Sequence, residues 1–158
     1  MRNAFKKYWP LIIFPIGVLI DQLTKMWALN LDKPIVVIKN FFSFELLFNK
    51  GAAWGMALPK WLLITISVAA TIGFIVYFFK TKSGMFVKIS SILVASGSCG
   101  NLIDRAFYPN GVIDFLSFQF GSYRFPTFNI ADSLVVVGII LLLIATIVEE
   151  RKNGTSSK

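Results

Sequence analysis

Histidine is absent from this 158-residue chain, and cysteine occurs once, as Cys99. The lack of histidine excludes catalytic triads with an imidazole base and every metal site that needs a histidine ligand. A single cysteine cannot form a disulfide within the chain. We expect neither a metal nor another cofactor, so any chemistry falls first to carboxylates.

Charged side chains are also scarce, at 15% of the chain against about 25% in an average soluble domain. Apolar residues make up 56%, and the mean hydropathy is +0.70. This composition is typical of an integral membrane protein. The net charge of +8 does not indicate nucleic-acid binding, because the lysines and arginines stand in short clusters at the ends of apolar runs.

Four runs are apolar and long enough to cross a bilayer as helices, which takes about 20 residues each. These spans are 8–29, 61–79, 86–107 and 129–148, with outer loops 30–60 and 108–128 and a tail at 149–158. No A-x-A-like cleavage site follows the first run, so we interpret it as an uncleaved span. The sequence predicts one mainly helical membrane domain, a bundle of four transmembrane helices.

The two outer loops carry strand-like patterns. The segments IVVI and FFSFELLF in the first loop, and LSFQF in the second, are rich in β-branched and aromatic residues, with partial alternation. They predict a small sheet or an interfacial loop. Nine basic residues lie in the N-terminus, the 80–88 connection and the tail, against six on the opposite side. The positive-inside rule therefore favours both termini in the cytoplasm.

Two aspartates flank the second outer loop. Asp114 lies in the apolar stretch GVIDFL, and Asp132 begins the last span in FNIADS. Asp114 could be a turn residue, and Asn129 or Asp132 could cap the last helix. If the loop brings the aspartates together, one stays protonated as an acid and the other activates water as a base, which suffices to hydrolyse a peptide.

Two further sets of polar residues lie inside spans, where charge is costly. Asp21 and Lys25 are four residues apart and can pair on one helical face. Gly97, Asn101 and Arg105 follow at steps of four, so they are expected to share a face of the third span. Packing, hydrogen bonding, and pairing of Arg105 with a carboxylate or a lipid headgroup remain open as their roles.

Five motifs occur in order: DQLTK at 21–25, FNKGAAWG at 48–55, GNLIDR at 100–105, VIDF at 112–115 and FNIADS at 128–133. Together they closely resemble the lipoprotein signal peptidase family, also called signal peptidase II, over nearly the whole chain. The resemblance implies a catalytic pair at Asp114 and Asp132. It also implies site-lining or supporting positions at Asp21, Lys25, Asn49, Gly51, Ala53, Gly97, Asn101, Arg105, Val112, Phe128, Asn129 and Ala131.

The resemblance further implies a fold of four membrane helices with a small extracytoplasmic β-cradle and a short outer helix. It implies an aspartic endopeptidase of the bacterial cell membrane that cleaves diacylglyceryl-modified prolipoproteins just before the lipidated cysteine. The active site is expected near the outer face, with membrane lipid around it. Globomycin-type peptides are expected to inhibit it, and the enzyme is expected to be a monomer.

Two other classes of function fit the composition. A small proton-coupled transporter would place essential acids near the middle of the bilayer, whereas the leading candidates here lie in or beside an outer loop. A non-enzymatic membrane subunit would use the aspartates for packing or capping alone, and would keep its function when both are replaced by asparagine.

Overall fold

The computed structural model describes residues 7–51 and 58–155. Within them, a 3-10 turn at Trp9–Ile12 leads into the first of four long helices. The helices are α1 (Ile13–Ala28), α2 (Lys60–Lys80), α3 (Met85–Phe107) and α4 (Ile130–Thr155). All four, α1 together with the 3-10 turn before it, are long and apolar enough to cross a membrane. The predicted mainly helical fold is confirmed.

Helix α3 is the centre of the bundle. It packs against α1, α2 and α4, and it is far more buried than the other three helices. Those three expose apolar side chains on their outer faces, such as Leu19, Ile72 and Leu143. In a membrane protein such a surface faces lipid tails. Specific contacts between the helices, and any chemistry, therefore depend on the polar residues inside the bundle.

Two glycines of α3 allow its neighbours to approach closely. A Cβ atom at Gly97 would collide with the backbone carbonyl of Ala131 and with Val135 on α4. A Cβ atom at Gly100 would collide with the Asp21 carboxylate of α1. Small residues have this role in many membrane helix pairs, and here they bring polar groups of three helices within hydrogen-bonding distance.

The predicted small sheet is also confirmed. Its antiparallel strands, in spatial order, are β1 (Ile35–Ile38), β2 (Phe42–Asn49), β3 (Val112–Phe120) and β4 (Tyr123–Arg124). The segment 112–128, which we interpreted as a loop with strand-like alternation, thus supplies β3, the longest of these strands. The side chains of Ile113 and Phe115 pack on Ala28 at the end of α1, which fixes the sheet to the bundle.

Pairing between β2 and β3 shifts register between Phe44 and Leu47, and Leu47 then stands opposite Asp114. Such a bulge re-aims side chains. Farther along the same ladder Asn49 pairs with Val112, so the end of β2 lies beside the start of β3.

The last helix extends beyond the predicted membrane span. The span predicted to end at residue 148 belongs to a helix that continues to Thr155. Glutamate, arginine and lysine are good helix formers, so the charged run at 149–152 ends the apolar stretch without ending the helix. The short outer helix implied by the resemblance is not found in the described parts of loops 30–60 and 108–128.

Candidate active site where the sheet meets the helices

Asp114 lies near the start of β3 and is almost completely buried, with 1% of its surface exposed. Two asparagines from different elements donate hydrogen bonds to it. Nδ2 of Asn49, at the end of β2, is 3.1 Å from Oδ2, and Nδ2 of Asn129 is 2.7 Å from Oδ1. Both oxygens of this carboxyl group are therefore held in fixed positions.

The environment of Asp114 favours its neutral form. Burial is the largest cause, and together with the negative charge of Asp132 it raises the pKa of Asp114 to about 7. The hydrogen bonds from Asn49 and Asn129 and the charge of Lys25 act in the opposite direction. A carboxyl group that stays protonated up to neutral pH can serve as a proton donor.

Asp132 lies in the first turn of α4 and forms a reciprocal pair with Asn129. The Asp132 backbone N–H donates to Oδ1 of Asn129 at 2.8 Å, and the Asn129 backbone N–H donates to Oδ2 of Asp132 at 3.3 Å. This arrangement resembles a capping box. The capping role that the sequence left open is therefore present, and it leaves Oδ1 of Asp132 for another partner.

That partner is Asn101 of α3, whose Nδ2 donates to Oδ1 of Asp132 at 2.7 Å. The carbonyl oxygen of the same amide accepts hydrogen bonds from Nζ of Lys25 and Nδ2 of Asn129, both at 3.1 Å. Asn101 thus joins α1, α3 and α4 in one network. Because Asn129 also binds Asp114, the network contains both aspartates.

A buried ionic cluster supports this network from the bundle side. Lys25 Nζ lies 2.8 Å from Asp21 and 2.7 Å from Asp104, and all three side chains are almost fully buried. The pairing of Asp21 with Lys25, predicted as one alternative from their spacing, is present. Nε2 of Gln22 also donates to both carboxylates, at 3.1 and 3.0 Å.

The two carboxylates of the cluster also hold the backbone next to the site. Oδ1 of Asp21 accepts from the backbone N–H of Ala131 at 2.8 Å, one residue before Asp132. Oδ2 of Asp104 accepts from the backbone N–H of Ile113 at 3.1 Å, one residue before Asp114. Each buried carboxylate therefore fixes the chain at one of the two aspartates.

Most of the remaining predicted residues shape this region through their backbone. Phe128 pairs with Leu116 of β3 by backbone hydrogen bonds of 2.8 and 3.1 Å, which returns the chain from the sheet to α4. Val112 is buried in the ladder opposite Asn49, and the Gly51 N–H donates to Oδ1 of Asn49 at 3.0 Å. Gly97 allows α4 to approach, and Ala53 lies outside the described residues.

Arg105 contacts a different helix from Gly97 and Asn101, which both contact α4. Its Nη1 donates to Oγ of Ser67 on α2 at 3.3 Å and to the backbone carbonyl oxygen of Asn101 at 3.4 Å. Among the described residues, no carboxylate lies within ion-pair distance of it. Steps of four drift around a helix with 3.6 residues per turn, so Asn101 contacts α4 while Arg105 contacts α2. A role of Arg105 in the site stays a prediction.

Gln22, Asp104 and Ser67 were not predicted as site residues. Asp104 lies three residues after Asn101 and seven after Gly97, so its helical spacing was a usable signal. Gln22 follows Asp21 directly and could have been included with it. Nothing in the sequence indicated that Ser67, on another helix, would meet Arg105.

The geometry provides a neutral carboxyl group and a second carboxylate held within electrostatic range of it by asparagines. Such a pair can donate one proton and accept another, as acid and base. Among the described residues no cluster of three or more His, Cys, Asp or Glu side chains has an arrangement suited to a metal ion.

Comparison with known proteins agrees with this picture. A family model described as signal peptidase (SPase) II matches residues 13–148. The lipoprotein signal peptidase of Clostridium tetani is 46% identical over 146 residues, covering 89% of this chain and 93% of the relative. That of Clostridium novyi is 44% identical over 139 residues, covering 84% and 93%.

The fold has a solved counterpart as well. A structure described as a bacterial membrane enzyme, at 2.3 Å resolution, aligns with a TM-score of 0.81 and 30% identity, covering 94% of this chain and 91% of the other. A second such structure, at 1.9 Å, gives a TM-score of 0.77 and 32% identity, covering 87% and 91%. With a family match over most of its length, the chain belongs to the signal peptidase II family of multi-pass membrane proteases, whose function is to remove signal peptides from prolipoproteins.

Proposed function

We propose that this protein is an aspartic endopeptidase that cleaves diacylglyceryl-modified prolipoproteins just before the lipidated cysteine, with Asp114 and Asp132 as its catalytic pair. The observation that carries this proposal is the state of Asp114. It is a buried carboxyl group with a pKa raised to about 7, in part by the charge of Asp132.

In the proposed reaction the pair shares one proton. The ionised carboxylate takes a proton from a water molecule, which attacks the carbonyl carbon of the scissile peptide bond. The protonated carboxyl group gives its proton to the carbonyl oxygen as the C=O double bond becomes a single bond. The leaving nitrogen takes a proton from the pair, one hydroxyl group of the tetrahedral intermediate returns a proton to the pair, and the C–N bond breaks, so that the pair again shares one proton. No covalent enzyme intermediate is required.

The asparagines are positioning residues in this mechanism. Asn129 and Asn49 hold Asp114, and Asn101 holds Asp132. None of the three asparagines takes part in proton transfer, because an amide does not titrate near neutral pH. Preorganised groups of this kind lower the cost of reorganising the site during reaction.

The surroundings suit a substrate that stays in the membrane. Helices α1, α2 and α4 expose apolar side chains, and the sheet adjoins the ends of α1 and α3. We propose that both termini lie in the cytoplasm, that the site lies near the outer face of the bacterial cell membrane, and that the lipidated substrate enters laterally from lipid. We also propose that the enzyme works as a monomer without a cofactor, and that globomycin-type peptides inhibit it.

The test uses purified protein in lipid-supplemented detergent and two forms of one prolipoprotein, with and without the diacylglyceryl group on the cysteine. We expect cleavage of the lipidated form before that cysteine, identified by the product mass, and little cleavage of the other form. The double variant Asp114→Asn/Asp132→Asn should cleave neither. Cleavage of the lipidated form by a folded double variant would overturn the aspartic mechanism, and equal cleavage of both forms would overturn the proposed specificity.

A further inference from the structure

Gln22 of α1 connects polar groups of two helices. Its Nε2 donates to Oδ2 of Asp21 at 3.1 Å, to Oδ1 of Asp104 at 3.0 Å and to the backbone carbonyl oxygen of Gly100 at 3.2 Å. Because residues three apart share a face of a helix, Gln22 lies beside Lys25. The two side chains therefore bridge the same pair of carboxylates.

The two carboxylates depend on Gln22 to different degrees. Oδ1 of Asp21 accepts from a backbone N–H of α4, and its Oδ2 also binds Lys25, so both oxygens keep a partner without Gln22. The other two donors to Asp104, Nζ of Lys25 and a backbone N–H of β3, both bind Oδ2. In the described part of the chain Gln22 is the only donor to Oδ1 of Asp104. A buried carboxylate oxygen without a donor is costly, so loss of Gln22 should let this carboxylate turn.

The backbone of Ile113 connects Asp104 to Asp114. The Ile113 N–H donates to Oδ2 of Asp104 at 3.1 Å, and its carbonyl oxygen accepts from Nδ2 of Asn129 at 3.2 Å. Ile113 directly precedes Asp114 and is completely buried. A turn of the Asp104 carboxylate would therefore weaken one of the two hydrogen bonds that hold the chain just before Asp114.

The backbone beside Asp132 does not depend on Gln22 in this way. The Ala131 N–H donates to Oδ1 of Asp21, whereas Gln22 binds the other oxygen, Oδ2. That oxygen keeps the nearby lysine ammonium group as a partner at 2.8 Å. Loss of the Gln22 amide should therefore loosen the chain beside the other aspartate of the pair and leave the chain beside Asp132 in place.

We propose that Gln22 is a positioning residue for Asp114, a role that rests on the function proposed above. Gln22 orients the Asp104 carboxylate, and that carboxylate holds the N–H of Ile113. Gln22 is not a catalytic residue, because its hydrogen bonds in the described structure reach neither aspartate of the pair. Its contribution is to keep Asp114 in a fixed place relative to Asp132, as acid–base catalysis requires.

The first test needs no catalytic activity. It measures amide hydrogen exchange of Ile113 and Ala131 by NMR, on protein in detergent with isotope-labelled isoleucine and alanine. Gln22→Met keeps the length of the side chain and removes its donor. In this variant we expect Ile113 to exchange at least about tenfold faster and Ala131 to be unchanged. If Gln22→Met does not fold, Gln22→Asn, whose amide cannot reach as far, should show the same difference between the two amides.

Thr24→Ala is the matched control on the same helix. In the described part of the chain the Thr24 hydroxyl group binds only backbone carbonyl groups of α1, so its loss should change neither amide. Exchange of Ile113 that is the same in the Gln22 variant and in the wild type would overturn the proposal. Faster exchange of Ile113 and Ala131 alike would also overturn it, because the effect would then be general loosening.

The second test distinguishes positioning from a packing contact. We expect Gln22→Met to lower kcat about tenfold with little change in KM, since a misplaced acid or base weakens the transition state alone. The upper limb of the pH profile of kcat/KM should move to lower pH. The reason is that a loosened Asp114 is more accessible to water, and its pKa, which is raised mainly by burial, then falls. The charged groups that act on Asp114, namely Asp132, Lys25 and Arg105, are unchanged in this variant.

The two measurements separate the role of Gln22 from the proposed function. Faster exchange of Ile113 with an unchanged kcat and pH profile would overturn the positioning role. A wild type that does not cleave the lipidated prolipoprotein would refute the proposed function and with it the role of Gln22 in the reaction. Unchanged exchange of Ile113 in the variant of an active enzyme would refute the role of Gln22 alone.

Discussion

Nδ2 of Asn129 donates a hydrogen bond of 2.7 Å to Oδ1 of Asp114, although the two residues lie on a helix terminus and on a strand. The same side chain accepts the backbone N–H of Asp132 through its Oδ1. One asparagine therefore caps α4, places Asp132, and holds Asp114. The side-chain amide that caps α4 therefore also fixes the two aspartates relative to each other.

The hydrogen bond from Asn49 to Asp114 lowers the pKa of that carboxyl group, so its removal should raise it. For Asn49→Ala we expect the upper limb of the pH profile of kcat/KM, which begins near pH 7 in the wild type, to move to higher pH. Asn30→Ala, at an exposed asparagine whose side chain binds only the Met26 backbone carbonyl among the described residues, should leave the profile in place. A shift to lower pH would contradict the role assigned to Asn49.

Replacement of Asp114 by asparagine should change how stability depends on pH. The pKa of Asp114 in the folded protein, about 7, is above the ordinary value of 3.8. Between these values the folded state binds more protons than the unfolded state, so the unfolding free energy falls as pH rises through this window. Asp114→Asn mimics the neutral form and should escape that loss, which is on the order of a few kcal/mol.

The measurement is thermal unfolding in detergent at pH 5 and pH 8. Asp114→Asn should gain more stability relative to the wild type at pH 8 than at pH 5, because pH 5 lies near the lower end of the window and pH 8 lies above it. Asp32→Asn, at an exposed aspartate of the first outer loop, serves as the control and should show no such difference. An equal effect of Asp114→Asn at both pH values would argue against a neutral Asp114.

Lys25 is the single cation between Asp21 and Asp104 in the described part of the bundle. Lys25→Met would leave two buried carboxylates without a counter-charge, which typically costs about 3–5 kcal/mol. We expect a large fall in the thermal unfolding midpoint. The exposed Lys33→Met should change it little, and a loss no greater than that of Lys33→Met would refute the structural role of the cluster.

Gly97 is required by the close approach of α3 and α4, since a Cβ atom there would meet the Ala131 carbonyl and Val135. Gly97→Ala should push α4 away, and with it Asp132, so both stability and cleavage rate should fall. Gly73 of α2 offers a matched control, because a Cβ atom there meets nothing within 4 Å. Gly73→Ala should be neutral or slightly stabilising, as alanine favours helix.

Local patterns were enough to predict much of this molecule. Composition and run length predicted the membrane helices, and the spacing of Asp21 and Lys25 predicted their pairing. Alternation predicted strands near 41–48 and 116–120, because a half-exposed strand repeats every two residues. Each of these features depends only on residues that are close to each other in the sequence.

Contacts between distant segments were out of reach of the same reasoning. The bond between Asp104 and Lys25 joins residues 79 positions apart, and the register shift between Phe44 and Leu47 depends on how β3 docks. The position of Arg105 against Ser67 depends on the crossing of α2 and α3. None of these has a local signature, so the family resemblance indicated which residues matter but not how they are connected.

The central claim is that Asp114 and Asp132 together carry out the hydrolysis. The most direct measurement is the cleavage rate of a diacylglyceryl-modified prolipoprotein by Asp114→Asn and by Asp132→Asn, each purified and shown by thermal unfolding to be folded, with Asp32→Asn as the control. We expect both site variants to lose at least about a thousandfold in rate, while Asp32→Asn keeps the wild-type rate. If either site variant retained a rate within tenfold of the wild type, the assignment of the catalytic pair would be wrong.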